Sequence, residues 1–160
     1  HLPLCNDQLM AEYLARELAS RSDVVVAPTI TYSYYPAFVE YPGSISISAN
    51  TATGLITDAC LSLSRFGPRR FYVLNTGVST CGPLEKAAEL LKQQNIVLKY
   101  TNLHSAMSPA IDEVSTQEGG THADEIETSN CSGSRPNEGC LQRLPTQRRG
   151  ATNPQRGVRI

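Results

Sequence analysis

Long apolar runs are missing from this chain, and so is a basic-then-apolar leader at its start. The first absence excludes a membrane-spanning helix, which needs about 20 apolar residues in succession. The second leaves no signal peptide to read. Five cysteines stand at positions 5, 60, 81, 131 and 140, odd in number and without a Cys-x-x-Cys pair. That spacing suits neither a zinc ribbon nor a disulfide framework, and it points to reduced thiols in a cytoplasmic protein. Net charge is nearly absent too, at −1, but it is unevenly laid out. Over residues 129–160 six arginines face Glu138 alone, a balance of +5, which leaves eight basic against fourteen acidic residues, −6, before it. An acidic body speaks against a nucleic-acid-binding domain. A starting methionine is also lacking: the chain opens with His1 inside a Leu-Pro-Leu stretch and reads as a piece whose first segment is missing.

What is present is one domain's worth of chain, 160 residues, enough for a single sizeable core. Leu9, Met10, Tyr13, Leu14 and Leu18 recur at helical spacing and predict a helix over 7–21, capped by Asn6 or Asp7. The β-branched run 24–30 predicts a strand buried on both faces, and 70–75 and 96–101 predict two more. Amphipathic helices are expected over 51–66, stopped by Gly67-Pro68, and over 83–95. Strands alternating with helices imply an α/β fold, a three-layer α/β/α domain around a mostly parallel sheet. Ligands in such sheets bind beyond the carboxyl ends of the strands. Those ends are the loops 31–44 and 75–80 and the stretch 102–108, with His104 read as a surface loop residue.

From Asn130 onward the pattern stops. Periodicity and large aliphatics give way to Arg, Gly, Pro, Gln, Ser and Asn. The expectation is a folded domain over 1–129 and a basic, disordered tail over 130–160. A change of reading frame near Ser129 and a tail that binds an acidic partner both fit that shift.

The densest chemistry lies at 119–129, where His122, Asp124, Glu125 and Glu127 follow a Gly-Gly pair. On a helix, His122, Glu125 and Ile126 share one face, with Glu127 one turn along. A His beside a carboxylate can move protons near neutral pH, and both can ligate metal. A solvated acidic helix start explains the same residues. The 75–80 loop, Asn-Thr-Gly-Val-Ser-Thr, follows a strand and precedes a helix, so its amides and hydroxyls could cradle an anion. It lacks dinucleotide glycine spacing and a P-loop lysine, and ordinary turn chemistry accounts for it as well.

Four segments in register resemble the creatininase family of metal-dependent amidohydrolases. They are His1-Leu2-Pro3 followed by Asp7; Tyr32 to Ser44, ending Tyr41-Pro42-Gly43-Ser44; the 75–80 loop, where the family has Asn-Gly-His-Gly-Gly-Asn; and Gly119-Gly120-Thr121-His122 with Glu127-Thr128-Ser129. The resemblance implies a dinuclear zinc or manganese site that activates water to open a cyclic amide. Asp7 matches the family's bridging Asp, while the Glu and His that precede it in the family would lie before residue 1. The family's metal-binding His falls on Gly77, and a further ligand, acidic in creatininase, falls on Ser79. Of the expected metal ligands only Asp7 remains, so the metal pair is doubtful in this chain. His122 matches a His near the scissile amide, a proton donor to the leaving nitrogen, and Glu127 a carboxylate beside the metals.

Tyr34, Tyr35 and Ser79 are expected to contact a small-molecule substrate. The crowded tyrosines 32, 34, 35 and 41 equally fit a subunit interface, since family members form hexamers, or packing over a sheet edge. The implied function is amidohydrolysis of a cyclic amide or related C–N bond, impaired or inactive in these residues. The alternative is a non-catalytic small-molecule or anion-binding α/β module. Neither reading involves nucleic acid or a membrane.

Overall fold

A computed structural model of the chain describes residues 5–116 together with Glu125, Thr128 and Ser129. Besides a short 3-10 turn (Pro36–Phe38), six elements follow one another among the described residues: α1 (Asn6–Arg21), α2 (Ala49–Ser64), β1 (Arg70–Val73), α3 (Cys81–Lys92), β2 (Val97–Tyr100) and α4 (Leu103–Val114). β1 and β2 pair in parallel, with Phe71 opposite Leu98 and Val73 opposite Tyr100. The strands, their connecting helix and their parallel sense make an α/β fold, as the alternation predicts.

The core sits between this sheet and the α2–α3 layer. Ile56 and Cys60 of α2, Leu84, Ala87 and Leu91 of α3, and Ile96 and Leu98 form one buried cluster, with Phe71, Val73 and Tyr100 packed against it. Alternation along a strand sends every second side chain the other way. Tyr72 and Val97 therefore lie outside the cluster and are exposed, at 60% and 48%. The expectation of strands buried on both faces fails here because the described helices α2 and α3 pack on the Phe71–Leu98 side.

Helix ends follow local chemistry. Ser48 caps α2, its hydroxyl accepting from Thr51 N at 3.1 Å. Gly67, at φ +114°, ends the turn after α2 where the Gly-Pro pair predicts a stop. Past α3, Asn95 takes the left-handed region at φ 56°. Asn95 N then donates to Lys92 O at 3.1 Å and Ile96 N to Leu91 O at 3.0 Å. This is a Schellman closure, and its hydrophobic contact joins Leu91 and Ile96, both almost fully buried. α1 differs from expectation: its N-cap is Cys5, with no side-chain cap bond, and Asn6 and Asp7 lie inside the first turn.

Two expectations are corrected. The segment 24–31 is not a strand; it runs without ladder bonds to any described residue, with Val25 fully exposed and Val24, Val26 and Ile30 near half. β-branched residues favour a strand only where neighbours supply ladder bonds and burial, and Pro28 removes one donor besides. His104, expected in a surface loop, stands instead in α4, which Asn102 caps, its side chain accepting from Ser105 N at 3.2 Å. Leu103, Met107 and Ile111 stand four residues apart in the sequence there, a helical spacing that the reading of His104 as a loop residue overlooks. Among the described residues no helix is long and apolar enough to cross a membrane.

Candidate functional site

Beyond the carboxyl end of β1 three separate segments meet. The first is the 75–80 loop, shaped from within. Asn75, 7% exposed, donates from Nδ2 to Gly77 O at 2.7 Å and accepts at Oδ1 from Gly77 N at 3.4 Å. The buried Thr80 hydroxyl shares one proton between Asn75 Oδ1 and Gly77 O, the latter at 2.6 Å. Asn75 folding back on the residue two further on is an Asx turn. The side-chain polar groups of Asn75 and Thr80 are thus spent inside the loop, which is the turn-chemistry account of this sequence.

The second segment is the first turn of α1. Thr76 Oγ1 donates to the backbone oxygen of Asp7 at 3.2 Å, fastening the helix start to the loop. One residue earlier, Asn6 is buried and its Oδ1 has no partner among the described residues. An orphaned buried acceptor costs about 1–3 kcal/mol.

The third segment is the tyrosine loop. Ile47 N donates to Ser33 O at 3.0 Å and Tyr35 N to Ser46 Oγ at 2.9 Å, so the ends of 33–47 close on each other. At its tip Ser44 N donates to Tyr41 O at 3.1 Å, across Pro42 and a Gly43 with φ +94°. Proline second and a positive-φ glycine third is the arrangement of a type II turn. The Tyr-Pro-Gly-Ser motif therefore has a backbone reason. Closure of this loop brings Tyr35 to α1, where its hydroxyl donates to Asp7 Oδ2 at 2.6 Å.

The same hydroxyl meets the 75–80 loop. A Cβ built on Gly77 would lie 2.9 Å from Tyr35 Oη and 3.2 Å from Thr80 Oγ1. Asp7, Tyr35 and Gly77 are therefore neighbours at one point. Of the residues expected to form a site, the structure brings Asp7 and Tyr35 together. Tyr34 and Ser79 are half-buried beside them, with no hydrogen bond to the cluster among the described residues. His122, Glu127 and His1 lie outside the described residues. Glu125 turns to the end of α4, its carboxylate accepting from Thr116 N at 2.9 Å. Behind the site, Tyr100 has its phenol pushed up by burial and by the charges of Glu85 and Cys81.

The family's metals can be tested against this arrangement. Among the described residues no three His, Cys, Asp or Glu side chains converge. The side-chain space at 77 holds the Tyr35 hydroxyl, and Asp7 accepts its proton. The described residues do not fit a metal pair. Thr76 and Thr80, which the sequence offers only among the hydroxyls of a possible anion cradle, serve here to fasten the loop; a hydroxyl on either side of a glycine-centred turn is the signal for that.

Comparison with known proteins returns one family. The family model for creatininase, described as creatinine amidohydrolase, matches residues 1–155, a span that runs past the domain boundary expected at 129. No curated protein and no solved structure matches.

Proposed function

This chain belongs to the creatininase family, and we propose that its site is a reduced amidohydrolase site, one that recognises a cyclic amide or a related small molecule with a C–N bond. What supports the reading most is the meeting of Asp7, Tyr35 and the 75–80 loop at a strand's carboxyl end. These belong to three of the segments that carry the family resemblance, and α/β sheets take ligands there.

In this reading Tyr34, Tyr35 and Ser79 contact the substrate. His122 donates a proton to the leaving nitrogen as general acid, and Glu127 holds the place of the family's carboxylate beside the metals. In the family, zinc or manganese supplies the activated water. Here Gly77 has no side chain to offer, and a Ser79 hydroxyl is a weak replacement for a carboxylate, so turnover by these 160 residues is not expected. Assembly into a homo-oligomer, a hexamer as in the family, belongs to the same proposal. So does a cytoplasmic location.

The test is ligand binding first and turnover second. Creatinine and simple lactams, titrated by NMR, should bind saturably, and Tyr35→Phe or Ser79→Ala should weaken them. Release of ring-opened product, assayed with zinc or manganese supplied, should stay at the uncatalysed level. If no cyclic amide binds, or binding ignores both substitutions, the reading is wrong.

A further inference from the structure

We infer that Tyr35 and Gly77 form a matched pair that holds Asp7 as a hydrogen-bond acceptor in place of a metal ligand. The pairing is steric before it is chemical. Any side chain at 77 begins with a Cβ, and that atom would stand 2.9 Å from the Tyr35 oxygen. Real Cβ contacts do not come so close, so a side chain at 77 would push the Tyr35 hydroxyl away from the position in which it bonds Asp7. Thr80 Oγ1 closes the other side at 3.2 Å and is itself held by Asn75 and Gly77 O. The phenol is the far end of a flexible side chain, so it would be the part to move. Moving it strains the 2.6 Å bond to Asp7.

A tyrosine donating to a carboxylate can also support that carboxylate as a metal ligand from outside. Position 77 separates the two cases. The resemblance puts a metal-binding His there, and the phenol oxygen stands 2.9 Å from where that side chain would begin. Glycine at 77 and tyrosine at 35 are thus two halves of one change. That the change replaces a metal ligand rests on the family reading; the steric conflict does not.

The experiment uses the full chain in four forms: unaltered, Tyr35→Phe, Gly77→Ala and the double variant. Tyr35→Phe removes the hydrogen bond and Gly77→Ala displaces its donor, and each should lower the folding constant in urea by up to about tenfold, or about 1.4 kcal/mol. The double variant should be no worse than either single one, because the bond can be lost only once. Additive losses would overturn the pairing. Zinc uptake by equilibrium dialysis tests the metal half and survives if Gly77→Ala fails to fold. Gly77→His with Tyr35→Phe should take up zinc at least about tenfold more tightly than the unaltered chain, and Asp7→Ala should abolish the gain. Equal uptake by both, or tight uptake by the unaltered chain that Asp7→Ala abolishes, would overturn it. Binding of cyclic amides by the unaltered chain enters neither readout, so failure of the functional reading and failure of the pairing remain distinguishable.

Discussion

Replacing Asn75 by alanine should loosen the loop on which the site is built, at a cost of about 2 kcal/mol. Asn75 is 7% exposed and donates one full bond from Nδ2 to Gly77 O at 2.7 Å. Its contacts with Gly77 N at 3.4 Å and Cys81 Sγ at 3.5 Å are long, and count for less. Thr80 has a single proton for two acceptors, so in the variant it turns wholly to Gly77 O and keeps that oxygen paired. One full bond, two weak ones and some lost packing give the figure, not the sum of four full bonds. In a domain of this size each kcal/mol lowers the thermal midpoint by roughly 2–4 °C. Urea unfolding measures the loss, and amide exchange at Gly77 locates it. Thr80→Val should cost about half as much, and the pair should be less than additive because both serve one network. A loss under about 0.5 kcal/mol with Gly77 protection unchanged would show that the backbone holds the turn without Asn75.

Leu91, fully buried between α3 and β2 and part of the closure after α3, should cost about 2–5 kcal/mol when cut to alanine, read from urea midpoints. Burial pushes the Cys60 thiol up, so it should resist a thiol reagent at pH 8 while exposed Cys5 reacts. Because that value is raised in the folded state, its contribution is whole below the unfolded thiol's range, about 8.5, and is lost as pH rises through the folded value. Cys60→Ala should therefore flatten the alkaline fall of the urea midpoint. Deleting residues 130–160 should leave the thermal midpoint nearly unchanged, since that stretch has almost no large aliphatics to bury; a drop of several degrees would move the domain boundary.

Periodicity and punctuation were enough to read α1, α2, α3 and both strands of the sheet, with ends displaced by only a few residues. Local pattern, a capping serine and a Gly-Pro stop act within one or two turns, so the chain carries them whatever surrounds it. The order of motifs was enough to nominate Asp7 and the tyrosine loop. It could not say that Tyr35 rather than Tyr34 reaches Asp7, because that depends on how the 33–47 loop closes through Ser33, Ser46 and Ile47. Nor could it say that an apolar run at 24–31 would go unpaired among the described residues. A strand needs a neighbour's ladder, and composition does not record whether one is within reach. Gly77 shows the division most clearly. The sequence marks it as a missing ligand; only the tertiary structure, by bringing a phenol oxygen 28 residues from its acceptor into that space, makes it room for another bond.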